Sequence, residues 1–579
     1  MDSSAALDQR RSFTSVHGHE LGHMWFGDLV TPEWWNDLWL NESFATWISY
    51  KAAHEVWPKG QFDRSTLRGG LRAMKEDSLA AARQIREPVT HNDAIADSFD
   101  SITYQKGGGV LAMLERYIGE EEFQSGIRLH MQRYADDVAN AEDFIASVAE
   151  GSGRAEVESA FKSFVEQPGV PLIEIKVNCE TDSSPIMQVR QSRYAPLGSA
   201  IDPEESQWLI PMCVTYRDGD ESKSECAMLN ERQRSIPLAA NSCPSSLHPN
   251  ADGAGYYRFT MEQSWWQGLI DGLSEMSAAE ALVVADSLDA AFRAGSVSAD
   301  TYMEGMTALL NHDSWDVVEA GLDNLESILT VLQLEELPAV QTALSALARP
   351  RYERLSDEEG DAADLLNSRI QRFLTMVARD PALREPLAER ASRRIGLEGE
   401  PDPMAAPQSE LETVLSVGVQ DLGAPFFEKL LELAASSEDR AFRYDALGAL
   451  ARTEDPRLAA RLQQVILSGQ LQGYEPLGLL SRQMARAATT DLTYTWLRAN
   501  FEAILQLAPE EYRGLWVAGL GANFCSVERA TEWSEFIESR AADLPGYERS
   551  LAQAIESVNL CAALRDAKAR ELIAELTGR

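Results

Sequence analysis

Two histidines four residues apart constrain this chain more than any other feature of its sequence. His19 and His23 enclose the run His-Glu-Leu-Gly-His, and residues four apart on an α-helix differ by only about 40° around the axis. Both rings can then reach one point in space, as two neutral imidazoles do when they bind a tetrahedral metal ion. Glu20 lies about 100° from His19 around the helix, too far to be a third ligand but within reach of a water molecule beside the metal. We therefore expect a metal-binding helix here.

A third ligand is predicted at Glu42, with eighteen residues between it and His23. Glu42 stands at the predicted start of a helix, where the helix dipole and the free N–H groups keep a carboxylate ionised. Two histidines, one glutamate and one open position are typical of a catalytic zinc ion, whereas structural zinc sites are closed by four protein ligands. The sequence thus predicts one zinc ion.

Asp37 and Asn41 are candidates to orient these ligands or, equally, to join helices. The tryptophans of residues 25–47 are predicted to pack in the core.

The chain is predicted to be mainly α-helical, with one β segment. Residues 1–168 hold the metal motif and long amphipathic stretches. Residues 169–262 follow a helix-breaking Pro-Gly-Val-Pro run and alternate apolar with polar residues, which predicts a small β-sandwich. Residues 263–579 return to helical periodicity with short Gly-, Pro- or Asp-rich joints, which predicts a C-terminal irregular α-solenoid of helix pairs, HEAT- or armadillo-like. No strict repeat is found, so a plain helical bundle stays the alternative.

Individual elements are predicted within these three segments. Helices are expected, among others, at Gly109–Ile118, Glu121–Tyr134, Ala278–Ala294 and Leu551–Leu564. Strands are expected at 173–177, Pro185–Arg190, Gln207–Tyr216 and Tyr256–Met261.

The charge balance excludes two classes of partner. Lysine and arginine total 52 against 91 aspartate and glutamate residues, a formal net charge of −39. Such a surface repels nucleic acid phosphates and anionic lipid, so neither is an expected partner. Solubility or adaptation to a salty habitat accounts for the acidity without a binding function. No stretch approaches the roughly 18 to 20 apolar residues that a membrane-spanning helix needs.

Six cysteines lie away from the metal motif, and their clustering in even numbers favours disulfides over buried free thiols. They are Cys179, Cys213, Cys226, Cys243, Cys525 and Cys561. No pair has Cys-x-x-Cys spacing, so we expect no second zinc site. The four in the β segment allow three pairings, among which the sequence does not choose. Disulfides indicate an oxidising compartment, the periplasm or exterior of a bacterium, whereas the first residues, which lack a signal-peptide core, would by themselves indicate the cytoplasm.

The residues around both ligand motifs resemble the M1 family of gluzincin aminopeptidases, the aminopeptidase N-like enzymes. The resemblance rests on HELGH, on the WFGDLVT that follows it, and on WWNDLWLNESFATW around Glu42. It continues in FDSITYQKGG, where the family's catalytic tyrosine falls on Tyr104. It implies a thermolysin-like catalytic domain, a zinc cofactor, and peptides with a free N-terminus as substrates. The long helical C-terminal segment also fits the family.

The resemblance implies release of N-terminal amino acids from peptides, with Glu20 and Tyr104 as the catalytic residues. A catalytic zinc ion lowers the pKa of its bound water to about 7. Glu20 is expected to take a proton from that water as general base and later to deliver it to the leaving amine. The Tyr104 hydroxyl is implied to stabilise the oxyanion that forms on the attacked carbonyl. Without the resemblance, Tyr104 would be taken as an ordinary core or surface residue.

The chain departs from the family pattern in three places. Ser49 stands where many relatives have a carboxylate, and Ser43 stands where glycine is usual. The 579 residues contain no Gly-x-Met-Glu-Asn segment, whose glutamate grips the α-amine of the substrate in the family. We expect that Met1 is an internal methionine of a longer protein and that the catalytic domain is incomplete at its N-terminus. The chain as given is then expected to have reduced or no activity.

Two other functions are open alternatives. A zinc metallo-hydrolase of different scope, such as an endopeptidase, would share the zinc triad and differ in the amine anchor. A non-catalytic helical scaffold would be expected to have lost Glu20, a ligand or Tyr104, and all of these are present. The sequence sets neither the residue preferred at the cleaved N-terminus nor the oligomeric state.

Overall fold

The computed structural model of the chain is mainly α-helical, as predicted. It describes residues 7–90, 92, 95–179, 184–355 and 358–578. The chain divides into two units, Met1–Gly321 and Leu322–Arg579. The first contains the histidine motif and all of the described strands, and the described part of the second contains helices and their connections. The predicted domain boundaries after residues 168 and 262 stay predictions.

The first unit combines a helical segment, a β segment and further helices. Its helices are α1 (Leu7–Gly22), α2 (Trp39–Val56), α3 (Ser65–Asp77), α4 (Gly107–Ile118), α5 (Glu120–Tyr134), α6 (Ala141–Ser152), α7 (Glu156–Val165), α8 (Gln263–Asp271), α9 (Ala278–Arg293) and α10 (Ala299–Leu310). Its strands are β1 (Val30–Pro32), β2 (Asp137–Ala139), β3 (Pro171–Asn178), β4 (Ile186–Arg193), β5 (Ile210–Asp218), β6 (Glu221–Leu229), β7 (Gln233–Pro237), β8 (Leu247–His248) and β9 (Arg258–Met261).

The β segment forms two sheets, and the four predicted strands are present as β3, β4, β5 and β9. The strand order is β7-β4-β3-β9 in one sheet and β6-β5-β8 in the other. Ile175 pairs with Val189 across β3 and β4, and Cys213 pairs with Cys226 across β5 and β6, where the two are joined by a disulfide. The sequence did not predict β6, because this edge strand is mostly exposed or half-exposed and lacks an alternating apolar face.

All six cysteines are paired, which selects one pairing from those the sequence allowed. The second disulfide of the β segment joins Cys179 to Cys243, and a third joins Cys525 to Cys561 in the second unit.

The second unit has its own core, and it begins within α11. Its helices are α11 (Trp315–Ile328), α12 (Leu337–Arg354), α13 (Asp361–Arg372), α14 (Pro381–Ile395), α15 (Leu411–Asp421), α16 (Gly423–Ser436), α17 (Arg440–Leu450), α18 (Pro456–Ile466), α19 (Glu475–Met484), α20 (Thr490–Ala499), α21 (Phe501–Leu505), α22 (Arg513–Gly519), α23 (Val527–Glu538) and α24 (Tyr547–Thr577). Phe426, Leu462 and Trp533 are fully buried in this core. Within the described residues, no helix is both long and apolar enough to cross a membrane.

Aspartates in the joints start several of these helices. The side chains of Asp380, Asp439 and Asp455 accept hydrogen bonds from the first N–H groups of α14, α17 and α18. The Asp-rich joints noted in the sequence are therefore N-caps, which explains why helical periodicity resumes directly after them.

The helix α1, which carries the histidines, is held by polar and aromatic contacts more than by apolar burial, since only Leu7 and Gly22 are buried along it. The Arg11 guanidinium lies 4.8 Å from the ring centre of Phe62 and 5.3 Å from that of Trp315. It also donates a 2.8 Å hydrogen bond to the carbonyl of residue 61. These contacts fix the N-terminal half of the helix.

The C-terminal half of α1 is fixed by close packing on α2. A Cβ atom at Gly22 would lie 3.0 Å from the Cα of Ala45, and one at Gly18 would lie 3.2 Å from the Cβ of Ser49. Small residues on both helices thus let the two backbones approach closely. Ser49 is one of these small residues, and its hydroxyl donates to the carbonyl of Thr46.

We predict opposite effects on stability for two glycine-to-alanine changes in helices. Gly22→Ala should lower the free energy of unfolding by about 1–3 kcal/mol, because its new methyl group presses on backbone. Gly268→Ala on α8 should raise it by about 0.4–1 kcal/mol, because an added Cβ meets nothing within 4 Å and the unfolded chain loses freedom. Urea denaturation of both variants measures the difference. A Gly22→Ala protein as stable as Gly268→Ala would contradict the close α1–α2 packing.

Candidate metal centre and active site

The structure brings the three predicted ligands together. His19 Nε2 lies 3.0 Å from His23 Nε2 and 3.1 Å from Glu42 Oε2, and His23 Nε2 lies 3.5 Å from the same oxygen. Among the described residues, these three form the cluster of histidine, cysteine or acidic side chains that could hold a metal ion. His19 lies near the end of α1, and Glu42 lies in the first turn of α2.

His23 stands one position beyond the last residue of α1, whereas the sequence predicted it within the same helix as His19. Its N–H still donates to the carbonyl of His19, 3.2 Å away, so the helical turn that aligns the two rings is complete. Departure from the helix at this point also lets the chain fold back, and His23 Nδ1 reaches the carbonyl of Phe26 at 3.1 Å. The Phe26 ring stacks on Phe44 of α2, which holds that carbonyl in place.

The hydrogen bonds behind the histidines decide which of their nitrogens can bind a metal. A carbonyl can only accept, so His23 Nδ1 must carry the proton, and Nε2 then presents a lone pair. His19 Nδ1 lies 3.3 Å from the Thr46 hydroxyl, one helical turn after Glu42. Partners of this kind orient metal-ligating histidines and fix their tautomers. Thr46 was not predicted from the sequence, although its position four residues after Glu42 on α2 could have indicated it.

The separations of the three donor atoms fit zinc. Four ligands at roughly 2.0–2.1 Å around a tetrahedral ion lie about 3.3 Å from one another. The observed separations of 3.0, 3.1 and 3.5 Å lie on either side of that value. Two imidazole nitrogens and one carboxylate oxygen are also a donor set that zinc accepts, and three protein ligands leave one position free.

Electrostatics favour an anionic Glu42. The side chain is buried, which by itself would raise its pKa, but the hydrogen bonds and charges of His19 and His23 outweigh that effect and lower the pKa to about 2. The same contact raises the pKa of His23, opposed by burial. A proton therefore competes with a metal for His23 at higher pH than it would for an ordinary imidazole.

Tyr104 lies beside the three ligands. Its ring centre is 5.8 Å from that of His19. Burial raises its pKa, and the carboxylates of Glu42 and Glu20 raise it further. The hydroxyl thus keeps its proton at neutral pH and can donate a hydrogen bond. The charge of Glu20 also raises the pKa of His23.

Tyr104 does not lie on an ordinary α-helix. It is the central residue of a π-helical turn, Ile102–Lys106, that leads directly into α4. Ser43 helps to hold this turn, because its hydroxyl donates to the carbonyl of Thr103. Gly107 makes that contact possible, since a Cβ at that position would overlap the Ser43 oxygen. Ser43 therefore supports the segment that carries the tyrosine.

Some sequence predictions near the site differ from the structure. Of the two roles predicted for Asp37, its 2.8 Å ion pair with Arg86 corresponds to a joint between chain segments, and a role in orienting a ligand stays a prediction. Trp39 and Trp47 are buried, as predicted, whereas Trp25 and Trp34 are 55% and 52% exposed. Both lie in the segment that connects α1 to α2, where the described residues provide no apolar layer over them.

The other described histidines do not belong to the ligand cluster. His130, His248 and His312 are buried, and His54 and His17 are half-buried or exposed. His91 lies outside the described residues.

Comparisons with known proteins agree with the motifs over most of the chain. Residues 1–166 match the family described as Peptidase family M1 domain, and residues 247–560 match the ERAP1-like C-terminal domain. Similar proteins include Aminopeptidase M1-A of Oryza sativa subsp. japonica, 26% identical over 96% of this chain and 63% of its own length. Aminopeptidase M1 of Arabidopsis thaliana is 27% identical, with 96% and 64% covered. Aminopeptidase 2, mitochondrial, of Saccharomyces cerevisiae is 24% identical, with 96% and 58% covered. The chain thus spans about three fifths of the length of these relatives.

We predict that Thr46→Val weakens zinc binding by about 10- to 100-fold, because His19 loses the partner of its Nδ1 atom while the side-chain volume is kept. The dissociation constant is measured by competition with a chromophoric chelator. Ser49→Ala on the same helix is the matched control, since its hydroxyl contacts the Thr46 carbonyl and no ligand. Equal weakening in both variants would show that the effect comes from α2 as a whole and not from His19.

Proposed function

Because the chain belongs to peptidase family M1, we propose that it hydrolyses peptide bonds and releases N-terminal amino acids, with one zinc ion held by His19, His23 and Glu42. The observation that carries this proposal is the convergence of two imidazole nitrogens and a carboxylate oxygen within 3.5 Å of one another. The proposed substrates are peptides with a free N-terminus.

The finer architecture is part of the same proposal. We propose that the helices before residue 168 form a thermolysin-like catalytic domain, supported by the family match to residues 1–166. We also propose that the two sheets form a β-sandwich and that the helices of the second unit form an irregular α-solenoid. The succession of helices of 10 to 15 residues from α14 to α20 supports the solenoid.

Glu20 and Tyr104 are proposed as the catalytic residues. A zinc ion at this site would supply Lewis acidity and activate water. The Glu20 carboxylate, one residue beyond His19, then accepts a proton from the attacking water and passes it to the leaving amine. The protonated Tyr104 hydroxyl donates to the carbonyl oxygen as negative charge develops there. Its raised pKa suits a donor, since the hydroxyl cannot ionise in the neutral range.

The alternatives are less well supported. A non-catalytic scaffold gives no reason for a pre-assembled triad with an adjacent glutamate and tyrosine. An endopeptidase would use the same residues, but similar proteins bear the name aminopeptidase.

We further propose an oxidising compartment, periplasmic or extracellular rather than cytoplasmic, because all six cysteines are paired.

We predict that Glu20→Gln retains zinc but lowers turnover of an aminoacyl-arylamide about 10²- to 10⁴-fold relative to the parent chain, because the proton acceptor is lost. His23→Ala should instead lose the metal, as measured by zinc content after dialysis. Asp8→Asn, which removes an exposed carboxylate from the first turn of α1, is the matched control. Activity in Glu20→Gln equal to the parent's would refute the assignment of the general base.

We predict that Tyr104→Phe lowers kcat about 10²- to 10³-fold, because its hydrogen bond to the oxyanion forms mainly in the transition state. KM should stay within about twofold of the parent value for the same reason. Steady-state kinetics on the aminoacyl-arylamide separate the two constants. Tyr117→Phe, which removes a hydroxyl from α4, should leave both unchanged. A large rise in KM with unchanged kcat would show that Tyr104 binds the ground state instead.

A further inference from the structure

The π-helical turn Ile102–Lys106 is the unusual element of the site. In it the N–H of Gly107 donates to the carbonyl of Ile102, five residues earlier. Such turns are rare because their backbone geometry is less favourable than that of an α-helix. A return to α geometry would rotate the residues before the widened turn by up to about 100°, the rotation of one residue. Tyr104 would then no longer face the ligands, so other contacts must stabilise the π-helical geometry of the turn.

One end of the turn is held by Asp100. Its Oδ1 atom accepts hydrogen bonds from the N–H groups of Ile102, at 3.0 Å, and Thr103, at 3.1 Å. The carboxylate is paired with the buried guanidinium of Arg83, whose Nε donates to Oδ2 over 2.9 Å. Arg83 also donates to the hydroxyl of Thr103.

The other end is held by a buried ion pair. The ammonium of Lys106, the last residue of the turn, lies 3.0 Å and 2.8 Å from the two carboxylate oxygens of Asp77 at the end of α3. Both side chains are completely buried. The ammonium also donates to the carbonyls of Gln167 and Gly169, at 3.3 and 3.4 Å.

The Asp77 carboxylate is fully engaged as well. It accepts a 2.8 Å hydrogen bond from the N–H of Gly169 and a 3.2 Å hydrogen bond from the hydroxyl of Tyr256. The lysine therefore cannot move without breaking polar contacts to two chain segments, Asp77 and residues 167–169, and Asp77 is in turn tied to Tyr256. Buried ion pairs give little net stability compared with apolar side chains of the same volume, so stability alone does not account for this arrangement.

We propose that Lys106 and Asp77 are positioning residues, which hold the π-helical turn open and so aim the Tyr104 hydroxyl at the reacting carbonyl. The proposal rests on the catalytic role of Tyr104 proposed above. The described contacts of Lys106 are with Asp77, Gln167, Gly169 and the ring of Tyr256, and none is with a proposed metal ligand. Lys106 acts through the backbone of the turn, two residues after the tyrosine, while Asp100 and Ser43 fix the preceding part.

The test is a double-mutant cycle that removes both charges of the pair. Lys106→Met alone would leave a buried carboxylate without its cation, so Lys106→Met/Asp77→Asn is the variant that preserves folding. In the parent background it should lower kcat about tenfold or more with KM and zinc content unchanged, because a catalytic group displaced by about 1 Å loses up to about 10²-fold in rate. In the Tyr104→Phe background the same change should alter kcat by less than about twofold, because there is no hydroxyl left to misplace.

A second readout does not depend on turnover. A phosphinic dipeptide analogue carries tetrahedral oxygens that mimic the oxyanion, and its dissociation constant is measured by calorimetry. The paired substitution should weaken its binding in the parent and leave it unchanged in the Tyr104→Phe protein. Arg384→Met, which removes a buried guanidinium from its ion pair with the exposed Asp421 in the second unit, is the control and should leave the constant unchanged.

Two contrary results are distinguishable. If Lys106→Met/Asp77→Asn slows the parent and the Tyr104→Phe protein by the same factor, the ion pair is merely structural and the inference is wrong. If Tyr104→Phe itself keeps the parent's kcat and analogue affinity, the proposed role of the tyrosine fails first. Retention of parent kcat by Lys106→Arg, which keeps the charge, and loss of it in the neutral pair would support the inference further.

Discussion

Three electron-pair donors that meet at one point are the constraint on which the rest of this site depends. His23 Nε2 presents a lone pair, because Nδ1 donates its proton to the Phe26 carbonyl. Glu42 is ionised at neutral pH, because its pKa is lowered to about 2. A proton on His19 could satisfy one of these neighbours. A divalent cation satisfies all three, which is the physical reason to expect a metal where the chain has brought these atoms within 3.5 Å.

That convergence is possible because α1 and α2 pack with almost no side chain between them. Gly18 and Gly22 face Ser49 and Ala45, so the two backbones approach closely and the ligand side chains need not stretch. The helix α1 contributes little to the apolar core and relies on Arg11, between two aromatic rings, to hold its other half. The positions of the three ligand side chains therefore depend on the small residues between α1 and α2 and on the Arg11 guanidinium.

The three ligands could be predicted because their spacing along the sequence is characteristic. The groups that orient the ligands and Tyr104 could not be predicted, because they depend on contacts between residues far apart in the sequence. His19 and His23 follow from helix periodicity, and Glu42 from its spacing and its place at a helix start. The Phe26 carbonyl and the π-helical turn leave no signature in residue identity, and β6 has no alternating apolar face. The helix α24 is 31 residues long and extends beyond the predicted Leu551–Leu564 at both ends, and the buried Ala569 and Leu572 continue its apolar face among charged residues.

The metal ligands and Tyr104 are held in place by different kinds of interaction. The ligands depend on packing between α1 and α2, where a single methyl group would force backbone apart. The tyrosine depends on buried charges at both ends of one turn, Asp100 with Arg83 and Lys106 with Asp77. Because those charges reach segments far away in sequence, including Gly169 and Tyr256, the orientation of Tyr104 is coupled to the joint between the helices and the first sheet. The β segment therefore takes part in shaping the site, although it supplies no residue to the ligand triad.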